Sequence, residues 1–173
     1  WELRKYESVD VMDAVGSNIR VDVRGKTVMR ILPRLNEDIN EDWISDKTRH
    51  ACDGLKVQRL DRPMIRKGEK LQEASWDEAY EFITERLSGV SGGRIAALAG
   101  DLVAAEEVMA LKSLMQNLGS PNMDCRQDGA KIDSSSRGNY IFNTTIAGIE
   151  NADFCLLVGT NPRHEAALVN ARL

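Results

Sequence analysis

The sequence predicts an α/β fold preceded by a small β-rich module, and two patterns of apolar residues indicate this arrangement. Between Ile19 and Ile31, apolar residues alternate with polar ones on both sides of a glycine, as they do in strands with one buried face. From about residue 75, helical patterns alternate with short apolar runs, which is typical of a layer built on a parallel sheet. We therefore predict a β-rich module at residues 1–62 and the beginning of an α/β domain at residues 63–173.

The N-terminal module is predicted from a β-hairpin pattern. Apolar residues alternate from Ile19 to Val23, Gly25 supplies a turn, and the alternation resumes at Met29. The stretch at residues 33–54 is rich in Asn, Asp and Glu, which predicts a long ordered loop with a short helical turn. Three apolar residues are expected to anchor this loop: Leu35, Ile39 and Trp43.

The α/β region is predicted from helix-capping signals and apolar runs. Ser75 and Glu78 form a capping-box signature at the start of a helix, and Asp101 is expected to cap a second helix beginning at Leu102. The runs "GGRIAALAG" and "PNMD" predict a buried strand and an edge strand, and "DFCLLVGT" predicts a fully buried strand that carries Cys155. The last helical pattern has no stop signal, which predicts a segment of a longer polypeptide.

Composition excludes several classes of function. The formal net charge of −4 argues against a nucleic-acid partner, because such binding requires a basic face that displaces counterions. No apolar run approaches the roughly 20 residues that a membrane-spanning helix requires. The three cysteines are scattered, which fits neither a disulfide framework nor a zinc site and favours a reducing compartment.

The turn at Gly159, Thr160, Asn161 and Pro162 is a candidate binding loop. It follows a predicted buried strand and precedes a helix, which is the usual position of phosphate-binding backbone N–H groups in α/β folds. It lacks the glycines and the lysine of the common phosphate-binding motifs. A tight turn with proline at the first helical position is therefore the interpretation that the pattern favours.

Four oxygen-bearing residues have the spacing of a cluster-binding motif. Asp10, Asp13 and Ser17 are separated by two and three residues, and Ser45 follows after 27 more. Four cysteines with this layout bind a four-iron cluster, because four thiolates can then reach one cube of iron and sulphur. Aspartate and serine are hard oxygen donors and replace soft thiolates poorly. The spacing therefore predicts a cluster motif whose ligands are lost.

Three stretches of the chain resemble one known family. "SVDVMDAVGSNIRVDVRG", "VMRILPRLNEDINEDWISDKTRHACDGLK" and "LLVGTNPRHEAALVNARL" are similar to the large iron–sulphur subunit of respiratory complex I, an NADH:quinone oxidoreductase. The family includes this subunit in bacteria and its mitochondrial counterpart, which is the largest subunit of the peripheral arm. The resemblance covers nearly the whole chain.

The resemblance implies that both candidate sites correspond to cofactor-binding positions in related enzymes. The C-terminal part of that subunit is similar to molybdopterin enzymes such as formate dehydrogenase, in which a β-rich module with four cysteines precedes domains that bind a bis-pterin guanine dinucleotide. Aligned on "GSNI", the four cysteines fall on the positions of Asp10, Asp13, Ser17 and Ser45. The loop at residues 159–162 falls where the relatives contact the dinucleotide. A molybdenum ligand is expected shortly after "PNMD", and the nearby Cys125 and Asp128 do not match its spacing.

The resemblance also implies a function. The chain is expected to be a scaffold segment of an enzyme subunit that transfers electrons from NADH to quinone, with no catalytic residue or cofactor of its own. Clusters of the 2Fe–2S and 4Fe–4S types are expected elsewhere in the subunit, and other peripheral-arm subunits are the expected partners. The expected location is the cytoplasmic face of a bacterial inner membrane or the mitochondrial matrix side, in a complex to which this segment contributes no membrane span.

Two other functions stay open. A fragment of a working molybdenum or tungsten bis-pterin oxidoreductase would require thiolates at the four ligand positions. A small nucleotide-binding module without a redox role would depend on "VGTNP" alone.

Overall fold

The computed structural model describes residues 2–126, 129 and 131–173, and these form two compact units. The first unit combines Trp1–Arg59 with Asp133–Leu173, and the second is Leu60–Ile132. The C-terminal residues thus group with the β-rich module rather than with the region that precedes them in sequence. The division between residues 62 and 63, which rests on sequence patterns, stays a prediction.

The first unit contains the predicted hairpin within a three-stranded antiparallel sheet. Strands β1 (Arg4–Val9), β2 (Asn18–Arg24) and β3 (Thr27–Pro33) lie in that order. Gly25 has a φ of +60° in the tight turn between β2 and β3, a conformation that glycine adopts without a steric penalty. The hairpin prediction is confirmed.

The polar loop after β3 is held by an amide side chain rather than by apolar anchors. Asn40 is 1% exposed, and its Nδ2 donates to the carbonyls of Arg34 and Trp43 at 3.1 and 3.0 Å. Its Oδ1 accepts a hydrogen bond from the Asn18 N–H at 2.9 Å. The prediction that Leu35 and Trp43 anchor the loop is wrong, because their side chains are exposed. A short helix, α1 (Asp46–His50), and a 3-10 helix (Ala51–Lys56) follow.

The second unit begins with a hairpin and a capped helix. Strands β4 (Met64–Lys67) and β5 (Lys70–Glu73) pair in antiparallel fashion. Helix α2 (Trp76–Leu87) starts with the predicted capping box, in which the Ser75 hydroxyl accepts from the Glu78 N–H and the Glu78 carboxylate accepts from the Ser75 N–H.

The parallel part of the fold is small among the described residues. Strands β6 (Ala97–Leu98) and β7 (Met123–Asp124) pair in parallel and are two residues long each. Helix α3 (Ala105–Asn117) begins three residues later than predicted. Its first turn is closed by the Glu107 carboxylate, which accepts from the Ala104 N–H at 3.0 Å, so Asp101 is not the cap.

The prediction of a fully buried strand at "DFCLLVGT" is wrong. This run forms no strand, and Phe154, Leu156 and Val158 are 79, 74 and 77% exposed. Cys155, for which the sequence predicts burial, is exposed as well. A parallel strand requires neighbours that bind its backbone N–H and C=O groups, and the side chains of an apolar run cannot supply them.

The C-terminal residues of the first unit form short helices. A 3-10 helix (Ala147–Asn151) precedes the exposed run, and α4 (Pro162–Glu165) and α5 (Ala167–Arg172) follow it. Across the described residues, none of the helices combines the length and apolarity needed to cross a bilayer.

Candidate functional site

Asp10 directly follows strand β1 and lies buried at the start of the loop that contains the candidate ligand positions. It is 5% exposed. Its N–H donates to the Ser17 carbonyl at 2.8 Å, which closes the loop into a compact turn. Its Oδ1 accepts from the Met12 N–H at 3.1 Å, so one carboxylate oxygen is engaged within the loop itself.

Thr48 connects Asp10 with Ser45. The Thr48 hydroxyl, on α1, donates to Asp10 Oδ2 at 2.7 Å and lies 2.8 Å from the Ser45 hydroxyl. Because the single hydroxyl proton of Thr48 is donated to Asp10, Ser45 donates to Thr48. Ser45 is also the N-cap of α1, since its Oγ accepts from the Thr48 N–H at 3.1 Å. We call Asp10, Ser45 and Thr48 the polar triad.

The remaining two positions are placed differently. Ser17 is 1% exposed and is joined to Asp10 through its carbonyl. Asp13 is half-buried, and its Oδ1 accepts from the Val15 N–H at 3.0 Å, which is a local turn contact. The structure therefore links Asp10, Ser17 and Ser45 into one hydrogen-bonded group, while Asp13 stabilises the turn between them.

The donor chemistry of this group does not fit a four-iron cluster. Both oxygens of Asp10, one oxygen of Asp13 and the Ser45 hydroxyl are engaged in hydrogen bonds with the protein. The nearest thiol in sequence is Cys52, which is buried and lies 3.9 Å from the Arg49 carbonyl. Within the described part of the chain, no group of three or more His, Cys, Asp and Glu side chains is arranged to hold a metal ion.

A small cavity lies beside the polar triad. It has a volume of about 190 Å³, and both Asp10 and Thr48 line it. The rest of the lining is mainly apolar and includes Ile19, Ile31 and Cys52. The space next to the candidate ligand positions thus offers one carboxylate among hydrocarbon groups, rather than a set of converging ligands.

The loop at residues 159–162 is occupied by a side chain of the protein itself. The Glu165 carboxylate accepts from the Thr160 hydroxyl and from the Asn161 N–H, the latter at 2.7 Å. These hydrogen bonds, from Thr160 first and Asn161 second, lower the pKa of Glu165. Gly159 has a φ of +64°, and Pro162 is the first residue of the four-residue helix α4. The donors that an anion would require are thus engaged by Glu165, so the geometry does not fit a dinucleotide phosphate.

The region considered for a molybdenum ligand contains an ion pair. The Asp124 carboxylate binds Arg126 at 2.9 Å, and hydrogen bonds from Arg126 hold the pKa of Asp124 well below its usual range. Cys125 is exposed beside this pair. Asp128, the other residue considered there, lies outside the described residues.

Arg172 joins the C-terminal helix to the polar loop of the N-terminal module. Its side chain is 7% exposed and forms an ion pair with Glu150. It also lies 3.5 Å from Glu41 Oε1 and donates to the Glu37 carbonyl at 2.8 Å. A second contact between these segments runs from Lys47 Nζ to the His164 carbonyl at 3.2 Å.

Sequence reasoning missed Thr48, Asn40, Glu165 and Arg172. A signal existed for Thr48, because it stands three residues after Ser45 in the position where a capped helix places its first donor. A signal also existed for Glu165, since it follows Asn161 by four residues at a helix start. Asn40 and Arg172 act on residues that are distant in sequence, and no local pattern marks them.

Two protein families match separate parts of the chain. The molybdopterin oxidoreductase family matches residues 59–173. The "NADH-ubiquinone oxidoreductase NDSU1/NuoG-like, 4Fe-4S domain" family matches residues 3–53. The chain is 56% identical over 173 residues to an NADH-quinone oxidoreductase subunit of Rickettsia conorii and 56% identical over 177 residues to the mitochondrial NADH-ubiquinone oxidoreductase 78 kDa subunit of Candida albicans.

A plant protein is also similar to the whole length of this chain. The chain is 53% identical over 174 residues to the mitochondrial NADH dehydrogenase [ubiquinone] iron-sulfur protein 1 of Solanum tuberosum. All three alignments cover 100% of this chain and between 24 and 26% of the relative. The chain therefore spans about a quarter of the length of these relatives, and the resemblance noted from its sequence is confirmed.

Proposed function

From the premise that this chain belongs to the molybdopterin oxidoreductase family, we propose that it is a scaffold segment of the large iron–sulphur subunit of an NADH:quinone oxidoreductase. In this proposal the segment carries no redox centre. Electrons would pass from NADH to quinone through clusters held elsewhere in the subunit, and this segment would support the parts that hold them.

The polar triad carries this proposal. A cluster of iron and sulphur requires four thiolates that point into one space. Here the corresponding side chains are carboxylates and hydroxyls, and Asp10, Thr48 and Ser45 bind one another at distances of 2.7 and 2.8 Å. The triad closes the former ligand loop with protein hydrogen bonds, which leaves a folded module that needs no metal for its stability.

The family that matches residues 3–53 is named for a 4Fe–4S domain, and we infer from the donor chemistry of this chain that its module derives from one that holds a cluster. Asp10, Asp13, Ser17 and Ser45 are then lost ligand positions. In the same way, the loop of Gly159, Thr160, Asn161 and Pro162 is a vestige of a dinucleotide loop. The Glu165 carboxylate supports that assignment, because it takes the place of an external anion on Thr160 and Asn161.

The partners in this proposal are the other peripheral-arm subunits of the same complex. Relatives that carry the whole subunit are found both in bacteria and in mitochondria. The location would be the cytoplasmic face of the bacterial inner membrane or the matrix side of the mitochondrial one, within a membrane-bound assembly. A nucleic-acid partner is disfavoured by the net charge of −4.

A comparison of assembly with activity tests the proposal. Asp10→Ala and Ser45→Ala in the full-length subunit break the polar triad, and Asp42→Ala changes an exposed carboxylate of the same module as a control. We expect the triad variants to lower the amount of assembled complex, with unchanged NADH:quinone activity and unchanged cluster EPR signals per assembled complex. The scaffold proposal is contradicted if assembly is normal while activity or one cluster signal is lost.

A further inference from the structure

The outward face of the N-terminal sheet carries three cations around one buried carboxylate, and we propose that this cluster binds a carboxylate-bearing segment of a partner protein. The cluster, which we call the arginine patch, consists of Lys5, Arg20, Asp22 and Arg30. The inference rests on the proposed scaffold function, because it names a surface through which the scaffold would contact a neighbouring subunit.

Strand register places these side chains on one face. Lys5 on β1, Asp22 on β2 and Arg30 on β3 lie directly opposite one another in the antiparallel ladder. Arg20 is two residues before Asp22 on β2 and therefore projects from the same face. Ile19, which is buried, projects from the other face, toward the interior of the module.

Asp22 fixes the two arginines. Its side chain is fully buried, although it lies on the outward face of a sheet. Arg20 Nε donates to Asp22 Oδ1 at 2.9 Å, and Arg30 Nε donates to Asp22 Oδ2 at 2.7 Å. A buried carboxylate requires such partners. In return, the two long side chains are held in one geometry before any partner arrives, which lowers the entropy lost on binding.

The arginine patch has a net positive charge and hydrogen-bond donors that Asp22 does not use. Three cations and one carboxylate leave an excess of two positive charges in a single cluster. The neighbouring pair of Arg34 and Glu7, which are 3.0 Å apart, is neutral and does not offset that excess. Arg30 is 53% exposed and donates to Asp22 through Nε, so its Nη nitrogens are not used in that bond. Lys5 is exposed at the edge of the same row.

A carboxylate of a folded partner fits these features better than a phosphate polymer does. The planar guanidinium matches a carboxylate with two parallel hydrogen bonds. A carboxylate on a partner surface also brings a single charge, which the patch can neutralise. A nucleic acid would bring many charges to a chain whose own net charge is −4. The patch is therefore suited to an Asp or Glu side chain in an interface between subunits.

Chemical cross-linking of the assembled complex tests this surface directly. A carbodiimide joins a lysine amine to a carboxylate in contact with it, and mass spectrometry identifies the joined peptides. We expect Lys5 to be joined to an Asp or Glu of another subunit, whereas Lys26, which is exposed in the turn between β2 and β3, serves as the control. A Lys5 link to a second copy of this chain, or no Lys5 link in intact complex, would overturn the proposal.

Charge variants of the full-length subunit give the second measurement, which is the amount of partner subunits retained as salt is raised. We expect Arg30→Gln to lower the amount of partner subunits retained at a given salt concentration about tenfold. This is the size of effect expected when one member of a charge pair that is buried in an interface is removed. Lys5→Gln, which leaves the Asp22 hydrogen bonds intact, is expected to weaken it about threefold, and Lys26→Gln to leave it unchanged. Arg30→Gln removes a hydrogen-bond partner of the buried Asp22 and could therefore impair folding. If it does, Lys5→Gln still tests the proposal.

The outcomes separate the two proposals. If the wild-type subunit retains no peripheral-arm partner, the scaffold function fails and the arginine patch fails with it. If the wild type retains partners and the Lys5 and Arg30 variants behave like Lys26→Gln, the patch alone is refuted. Inorganic phosphate is compared with sodium chloride at equal ionic strength: equal effects support a protein carboxylate, and selective displacement by phosphate would identify a phosphate site instead.

Discussion

Thr48 in the N-terminal module is 1% exposed, whereas Leu156 in the C-terminal apolar run is 74% exposed, although leucine is by far the more apolar side chain. The module buries polar groups because each one finds a partner within a short, antiparallel and loop-linked structure. The run at residues 154–158 has apolar side chains but no paired backbone, since a parallel strand depends on neighbours that are distant in sequence. At these two positions, burial therefore follows the availability of hydrogen-bond partners rather than the hydrophobicity of the side chain.

The largest effect expected from this comparison is that of Thr48→Val. Valine keeps the shape of threonine but removes the hydroxyl that joins Asp10 to Ser45, so Oδ2 of the buried Asp10 carboxylate loses its hydrogen bond while Oδ1 keeps that from the Met12 N–H. We expect the free energy of unfolding to fall by about 3 kcal/mol, as for a charged group left with an unmet hydrogen bond. Denaturant unfolding measures the change.

Thr84→Val on helix α2 is the matched control, because Thr84 is exposed and the same atoms change. Its effect should stay within about 0.5 kcal/mol. Equal effects at the two positions would mean that the polar triad does not stabilise the module.

A smaller effect is expected for Arg172→Gln, which tests how the C-terminal helix is held. The substitution removes the ion pair with Glu150 and the charge-assisted bond to the Glu37 carbonyl. We expect the free energy of unfolding to fall by about 2 kcal/mol. Relative to wild type, the rate of hydrogen exchange should also increase more in α5 than in β2. Arg163→Gln, at an exposed position of α4, should change neither quantity. Unchanged exchange in α5 would show that Arg172 does not hold the helix.

The pH dependence of stability tests the charge buried in the arginine patch. Burial raises the pKa of Asp22, but hydrogen bonds from Arg30 and Arg20 outweigh that effect and hold the pKa below its ordinary value of 3.8. A lowered pKa in the folded state contributes stability that is present above the unfolded-state pKa and is lost as pH falls through the folded-state pKa.

We therefore expect the difference in unfolding free energy between wild type and Asp22→Asn to be constant above about pH 5 and to shrink as the pH falls below about 4. Denaturant unfolding at a series of pH values from about 2 to about 6 measures it. Asp42→Asn, at an exposed position, provides the reference curve. A difference that grows on acidification would reverse the sign and refute the ion-pair account.

The smallest effect is expected for Leu156→Ala. Because Leu156 is 74% exposed, the substitution should change the free energy of unfolding by less than about 0.5 kcal/mol. Ile19→Ala, at a position that is 6% exposed, should cost about 2–5 kcal/mol. A loss of similar size at both positions would show that the apolar run is buried in solution, and the comparison between the two regions would fail.

The sequence predicted features whose causes are local. The β2–β3 hairpin and the Ser75 capping box depend on residues within a few positions of one another, so periodicity and spacing report them. The contacts that hold the candidate site span 38 residues from Asp10 to Thr48 and 135 residues from Glu37 to Arg172. Such contacts leave no periodic trace, which is why Arg172 and the contact between Thr48 and Asp10 were missed.

The errors have a related cause. The apolar run is not the buried strand that its composition predicts, because side-chain hydrophobicity is visible in a sequence and backbone pairing is not. Trp43 fails as a loop anchor for the same reason, since the loop is held by the amide of Asn40. The start of α3 differs from its prediction because the cap is a glutamate that reaches back from inside the helix, rather than an aspartate before it.

Iron bound by the chain after anaerobic incubation with iron and sulphide tests the central claim most directly. The four candidate ligand positions carry aspartate or serine rather than cysteine, so no thiolate is present there. We therefore predict iron and acid-labile sulphide at background level per chain and no EPR signal from a reduced cluster. A variant with cysteine at positions 10, 13, 17 and 45 should bind more iron and sulphide than the wild type under the same conditions. Close to four irons and four sulphides per wild-type chain, with a reduced-cluster EPR signal, would contradict the account.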